Sequence, residues 1–253
     1  MILYEDKNIL VCRKAAGIAV QSARLGEKDL VSILNNHLAE QAEAYKKSGS
    51  SAVFEPVRVI HRLDQPVEGV LVFAKTKKAA AGLSKQIADG TMKKMYQAVC
   101  CVTEKGRKWP ETKTEEKEAW HVLTDYLVKD VRTNTSAVTE KGQKNAKEAR
   151  LLFQIAAQQG ELVLVNIRLD TGRHHQIRVQ MAHAGLPLYG DVKYHSDWQR
   201  YVPDSAAGRT GRGEPALCAS RLEFIHPITG KKMEFEAEPR REIFGLFQQQ
   251  GSK

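Results

Sequence analysis

The strongest constraint on the fold is a short polar segment between two apolar runs. Residues 57–60 (VRVI) alternate in polarity and residues 70–74 (VLVFA) are wholly apolar, and both patterns are typical of strands. Pro66 cannot donate a ladder hydrogen bond, so the segment between the runs is predicted to be a loop. Functional groups are often held on loops that a rigid sheet positions. Asp64 is therefore a candidate functional carboxylate, and the simple alternative is an ion pair with Arg62 that braces a hairpin.

The rest of the chain predicts many strands and few helices. Strands are predicted over residues 2–4, 9–12, 93–102, 120–128, 136–138, 147–157, 162–169, 217–224 and 232–235. Helices are predicted over residues 29–45 with Asp29 as N-cap, 75–88, 171–185 and, as a short end piece, 242–250. This alternation of hairpin-type strands with a few helices predicts an α+β fold, in which a mixed, largely antiparallel sheet is flanked by helices.

Three polar segments interrupt this pattern and are predicted to be exposed. Residues 46–51 read as a linker, residues 106–118 as a charged surface excursion, and residues 200–215 as a Gly/Arg-rich loop. The first and the last are candidate surfaces for recognising a partner.

Composition narrows the class of protein. The chain has 253 residues, enough to bury a large core, and its net charge of +9 favours a polyanionic partner, most simply nucleic acid. No apolar run approaches the roughly 20 residues that cross a bilayer, so no membrane association is expected. The first residues lack the basic-then-apolar plan of a signal peptide. The four cysteines show no CxxC spacing, so we expect reduced thiols and a cytoplasmic protein.

A second dense polar cluster lies at residues 170–183 (DTGRHHQIRVQMAH). Thr171 is predicted to cap a helix in which Arg178 points towards apolar side chains. A buried arginine needs a carboxylate partner, because an unpaired buried charge is costly. Asp64 is a natural candidate for that partner.

The cluster has two further interpretations. His174, His175 and His183 suggest a metal site, but adjacent histidines on a helix point about 100° apart, and no HExxH motif occurs. The alternative is a basic helix start that contacts phosphate through Arg173, His174 and backbone amides. The second interpretation agrees better with the net charge.

Several segments taken together resemble the RluA family of pseudouridine synthases. Residues 61–64 (HRLD) with 69–75 (GVLVFAK) are similar to the catalytic motif of that family. The other segments that match in order and spacing are residues 94–99 (KMYQAV), 172–178 (GRHHQIR), 190–194 (GDVKY), 4–6 (YED) and 14–17 (KAAG). They extend from about residue 2 to residue 238, and their combination is specific.

The chain departs from the family pattern at a few positions. Val67 and Glu68 stand where Thr-Ser is usual, Ala15 where Pro is usual, and His174 where Thr is usual. Glu68 adds a negative charge close to Asp64 in sequence, which is expected to bear on RNA contact or on local electrostatics.

The resemblance implies a fold, a reaction and a set of site residues. It implies one pseudouridine synthase catalytic domain over residues 1–253 with a central active-site cleft, acting on ribosomal or transfer RNA after base flipping. Asp64 would be the catalytic carboxylate, as nucleophile or as base; Arg178 would pair with it, and Tyr96 would face the target base. The substrate-binding residues implied are His61, Arg62, Arg173, His175 and Ile177.

The resemblance also implies that several groups and domains are not needed. An isomerisation involves no net redox change, so no cofactor and no metal is expected, and the protein is expected to be a monomer. The catalytic pattern begins almost at Met1, so no N-terminal S4-type RNA-binding domain is expected. The alternatives are a non-catalytic RNA-binding protein that retains the fold and a metal-dependent nuclease built around the histidines.

Overall fold

The computed structural model describes residues 1–22, 26–48, 54–109, 120–201 and 214–248. The chain divides into two compact units. The first unit comprises Met1–Lys93 and Arg221–Ala237, and the second comprises Lys94–Ser220 and Glu238–Lys253.

The first unit is built on antiparallel strands. Its strands are β1 (Ile2–Glu5), β2 (Ile9–Lys14), β3 (Arg58–Val59), β4 (Glu68–Ala74), β11 (Lys232–Glu236) and residues 221–225 of β10 (Leu217–Ile225). Strand β2 pairs with β1 on one side and with β4 on the other, and β10 forms a hairpin with β11. Strand β4 is buried along its whole length, which explains the uninterrupted apolar run.

Two helices belong to this unit. Helix α1 (Leu30–Lys47) begins at the predicted N-cap, since the Asp29 carboxylate accepts the Ser32 N–H. Helix α2 (Lys77–Ala88) is capped in the same way by Thr76. The apolar core beneath them is made of Ile9, Val11, Val70, Val72, Ala74, Ala79, Leu83, Met92, Leu222, Phe224 and Ala237.

The second unit contains an antiparallel run of five strands in the order β5-β9-β8-β6-β7. These are β5 (Lys93–Cys101), β6 (His121–Asp130), β7 (Thr135–Thr139), β8 (Lys147–Gln159) and β9 (Leu162–Leu169). Helix α3 (Gln176–His183) follows β9, and a short helix α4 (Gly245–Gln248) lies near the C-terminus. Single 3₁₀ turns occupy Glu104–Lys108, Trp198–Arg200 and Glu242–Phe244.

The strand-rich α+β prediction is confirmed, and several local predictions are wrong. Helix α3 begins at Gln176 rather than at residue 171, because the Thr171 hydroxyl donates to the Gln176 side-chain carbonyl instead of capping a helix. Lys46 and Lys47, predicted to lie in a linker, are instead in the last turn of α1, where the helix dipole stabilises positive charges. Residues 49–51, 110–118 and 202–213 of the three predicted loops lie outside the described residues.

One part of the predicted surface excursion is buried instead. The 3₁₀ turn at Gly106 packs against the C-terminal end of α3, where a Cβ added to Gly106 would lie 2.3 Å from the Gly185 carbonyl oxygen. Thr103 donates to that same carbonyl through its N–H and its hydroxyl, and the Trp109 indole donates to the Ala184 carbonyl. This contact fixes the end of α3, and it requires a residue without a side chain at position 106.

Gly106→Ala is expected to lower the free energy of unfolding by about 1–3 kcal/mol, because the new methyl group would overlap backbone that cannot rotate away. Gly245→Ala is the matched control, since a Cβ there meets only open space. Thermal denaturation of both variants checks this. Equal melting temperatures for the two would contradict the packing described here.

Candidate active site

The segment that holds Asp64 is a tight turn at the start of β4. The Val67 N–H donates to the Asp64 carbonyl at 3.0 Å, and the side chains of Leu63 and Val67 are buried on either side. The Asp64 side chain itself is partly exposed. The turn thus presents a carboxylate between two hydrophobic anchors.

A buried lysine ties this turn to the loop that follows β2. The Lys14 ammonium is fully buried and donates to the carbonyls of Ala15, Ile18 and Gln65 at 3.0, 2.7 and 2.9 Å. The Gly17 N–H also donates to the Gln65 carbonyl, and the Gln65 amide donates back to the Gly17 carbonyl. An ammonium group has three donors, so this set of carbonyls satisfies it. Gln65, the residue next to Asp64, is therefore held by three hydrogen bonds to Lys14 and Gly17.

The charged neighbours of Asp64 in sequence have partners of their own. Arg62 is exposed, and its guanidinium donates to the Gln21 side-chain carbonyl at 3.1 Å. His61 lies against β4, where its Nε2 accepts the Val72 N–H. Glu68 is buried and paired with Arg13 on β2 at 2.9 Å. The added negative charge of Glu68 is therefore compensated within the unit.

In the second unit, the loop before α3 is shaped by side-chain hydrogen bonds. The Gln176 carbonyl oxygen accepts from the Thr171 hydroxyl and from the Arg173 N–H, and the Gln176 amide donates to the Arg150 carbonyl. His175, the residue before the helix, takes a left-handed backbone conformation with φ of +52°. The loop thereby turns sharply into α3.

Arg178 on α3 forms a buried bidentate ion pair with Asp191. Its Nε and Nη2 donate to the two carboxylate oxygens, both at 2.7 Å. Arg178 is 4% exposed and Asp191 is fully buried. The need of Arg178 for a carboxylate is confirmed, and Asp191 meets it within this unit. The pairing of Arg178 with Asp64 stays a prediction.

Tyr194 links this ion pair to His175. Its hydroxyl accepts the Ser136 N–H at 2.8 Å and forms a hydrogen bond of 2.7 Å with His175 Nδ1. The Tyr194 ring also lies under the Arg178 guanidinium, 5.2 Å from its centroid. Burial, reinforced by the nearby charge of Arg178, lowers the pKa of His175 to about 3. His175 is thus a neutral imidazole at neutral pH.

Tyr96 lies in the middle of β5 and is 6% exposed, opposite Ile167 of β9. Lys94 precedes it by two residues, so the two side chains emerge on the same face of the strand. A Cβ placed on Gly172 would lie 3.5 Å from the Lys94 ammonium. The β5 motif and the loop before α3 therefore meet at this point.

The remaining predicted residues have clear positions. Arg173 is exposed, and its Nε donates to the Glu148 carbonyl, which supports the loop. Ile177 is buried in the core, and its substrate contact stays a prediction, as do those of His61, Arg62, Arg173 and His175. Among the described residues, no group of three or more His, Cys, Asp or Glu side chains is placed to hold a metal.

Sequence reasoning did not single out Lys14, which holds the Asp64 turn in the first unit, or Asp191 and Tyr194, which contact Arg178 in the second. Each of them stands in a segment that matched the family pattern. A lysine at the end of an apolar strand, as at residues 9–14, signals a buried ammonium that seeks carbonyls. The acid of residues 190–194 was an available partner for the buried arginine.

Comparison with known proteins decides the family. Residues 8–183 match the family model described as RNA pseudouridylate synthase. The chain belongs to the RNA pseudouridylate synthase family. Ribosomal large subunit pseudouridine synthase D of Zymomonas mobilis is 32% identical over 250 residues, which cover 97% of this chain and 71% of that protein. Synthase C of Buchnera aphidicola is 31% identical over 93% of this chain and 66% of its own length.

A solved structure supports the same fold. Human RNA pseudouridylate synthase domain containing 4 matches with a TM-score of 0.67 at 22% identity, over 95% of this chain and 88% of that one. The prediction of an RluA-type pseudouridine synthase, an isomerase that acts on RNA, is confirmed. No helix among the described residues is both long and apolar enough to cross a membrane.

Asp191→Asn is expected to lower the free energy of unfolding by about 3–5 kcal/mol, because it leaves the buried Arg178 charge without its counterion. Glu55→Gln is the control, since it removes an exposed partner of Arg58, and it should cost at most about 1 kcal/mol. Urea denaturation at neutral pH measures both. A loss below 1 kcal/mol for Asp191→Asn would contradict the importance of this pair.

His175 is expected to make stability fall as the pH drops below about 6.5. In that range the unfolded chain binds a proton at His175 that the folded protein, with a pKa of about 3, does not bind. Titration of His175 therefore leaves the free energy of unfolding unchanged above pH 6.5. It lowers that free energy progressively towards pH 3, by up to about 1.4 kcal/mol per pH unit.

His175→Asn isolates this effect, because asparagine tolerates the left-handed backbone and keeps a polar partner for Tyr194. Between pH 6.5 and 5 the variant should lose about 2 kcal/mol less stability than the wild type. Denaturant titrations at several pH values test this, and parallel pH profiles would contradict it.

Proposed function

We propose that this protein isomerises uridine to pseudouridine in ribosomal RNA of the large subunit, with Asp64 as the catalytic carboxylate. The observation that carries the proposal is the placement of a partly exposed Asp64 on a turn that Lys14 and Gly17 hold rigidly. The choice of RNA is supported by relatives named ribosomal large subunit pseudouridine synthases, which match over more than nine-tenths of this chain.

The reaction breaks the N1–C1′ bond of uridine, turns the base and rejoins it through C5. An ionised carboxylate serves this reaction as a nucleophile or as a proton acceptor at C2′. Either role requires the group to be held in one place, because a small misplacement costs much of the rate. The hydrogen bonds on Gln65 supply that restraint for its neighbour Asp64.

Two residues of the second unit are proposed to assist. Tyr96 would offer its ring or hydroxyl to the target base, and Arg178 would orient the reacting carboxylate. The bidentate pair with Asp191 fixes the direction of the Arg178 guanidinium within the second unit. The predicted Asp64–Arg178 pairing rests on the family resemblance.

RNA recognition is proposed to use exposed cations near these motifs. Arg62 and Arg173 are both exposed; Arg62 lies two residues before Asp64, and Arg173 lies in the loop before α3. The target base must leave its stack to be isomerised, and an arginine beside the site would hold the phosphate of the flipped nucleotide. A cytoplasmic location is proposed, in keeping with four cysteines that are all buried and free.

Asp64→Asn is expected to reduce uridine isomerisation by about 10³-fold or more, because the amide can act neither as nucleophile nor as base. Tritium release from [5-³H]uridine in large-subunit ribosomal RNA measures the activity, with bulk transfer RNA as the comparison substrate. Asp89→Asn, at an exposed helix end, is the control and should retain full activity.

Two results would contradict the proposal. Full activity of Asp64→Asn would remove the carboxylate from the mechanism. A wild-type protein that isomerises transfer RNA and not ribosomal RNA would overturn the choice of substrate.

A further inference from the structure

Lys94 is a partly buried cation for which the described residues provide no counterion. It stands on β5, two residues before Tyr96, and no hydrogen bond or ion pair holds its ammonium within the described part of the chain. Burial lowers the pKa of Lys94. Keeping an unpaired ammonium out of water costs stability, so its presence needs an explanation.

The surroundings of Lys94 leave space beside its ammonium. Strand β9 ends at Leu169, and the loop that follows brings Gly172 next to Lys94. A Cβ at position 172 would lie 3.5 Å from the Lys94 Nζ, so the missing side chain leaves that space open. Arg173, the next residue, is exposed and adds a second positive charge. This corner therefore favours an anion.

The position of Tyr96 indicates which anion. Residues two apart on a strand point to the same face and lie about 7 Å apart along it. If the target base meets Tyr96, as proposed above, a cation one such step away is placed to meet a phosphate of the same nucleotide. Phosphate contacts of this kind position an RNA without reading its sequence.

We propose that Lys94 binds a phosphate group that flanks the target uridine and thereby positions that nucleotide against Tyr96. This inference rests on the proposed function, since it takes Tyr96 as the residue that meets the base. It adds to that function a phosphate-binding residue that is distinct from Asp64 and Arg178.

The stability of Lys94→Met gives the first test. Methionine has a similar volume without the charge, so the variant should melt at a higher temperature than the wild type, by a few degrees. Lys93→Met is the matched control, because Lys93 is adjacent on the same strand, points to the opposite face and is exposed. A structural role for Lys94 predicts the reverse, a lower melting temperature.

Small ligands give a second test that needs no knowledge of the RNA target. Uridine, uridine 5′-monophosphate and uridine 3′-monophosphate are titrated into wild type, Lys94→Met, Lys94→Arg and Lys93→Met, with binding followed by NMR. The wild type should bind one of the two nucleotides about tenfold more tightly than uridine. Lys94→Met should lose that preference, while Lys94→Arg and Lys93→Met keep it.

Turnover completes the test. On an RNA hairpin that the wild type isomerises, Lys94→Met should raise KM about tenfold and leave kcat within about twofold. Replacing the flanking phosphate by a neutral methylphosphonate should raise KM equally for the wild type and have no further effect in Lys94→Met.

The outcomes separate this inference from the proposed function. A wild type that shows the nucleotide preference but isomerises no ribosomal RNA contradicts the proposed function alone. An active wild type whose nucleotide preference survives Lys94→Met overturns the role of Lys94. Equal effects of Lys94→Met and Lys93→Met on KM also overturn it.

Discussion

The buried ion pair between Arg178 and Asp191 is the interaction on which the second unit depends. A buried guanidinium on an eight-residue helix is tolerated only because a fully buried carboxylate meets it in bidentate geometry. Tyr194 closes the arrangement, since its ring lies against Arg178 while its hydroxyl joins Ser136 to His175. Replacing such a pair by two apolar residues is often neutral for stability, but removing one partner leaves an uncompensated buried charge, so each residue requires the other.

In the first unit, the buried Lys14 holds the turn that carries Asp64. The Asp64 turn contains only four residues, and a turn of that length has few contacts of its own. The Lys14 ammonium supplies the missing ones by gathering three carbonyls, one of which belongs to Gln65. The Asp64 carboxylate is therefore carried by irregular backbone that hydrogen bonds from a buried side chain hold in place.

The sequence predicted the elements well and their junctions poorly. The apolar run of β4 and the periodicity of α1 and α2 follow from burial patterns, which are local and readable. The start of α3 was misplaced because the Thr171 hydroxyl bonds to the Gln176 side chain, a choice that depends on Arg150 of a distant strand. Likewise, the need of Arg178 for an acid was readable from its apolar neighbours. That Asp191 meets this need depends on tertiary contacts that no spacing rule contains.

The buried cations of this chain differ in whether the described residues supply them with acceptors. Lys14 and Arg178 are more deeply buried than Lys94, yet the Lys14 ammonium meets three carbonyls and the Arg178 guanidinium meets both oxygens of a carboxylate. Lys94 is only partly buried, but the described residues offer it no acceptor, so it carries a desolvation cost without a compensating bond. A phosphate group of the RNA substrate would supply the acceptor that the Lys94 ammonium lacks among the described residues, in keeping with the phosphate-binding role proposed for Lys94.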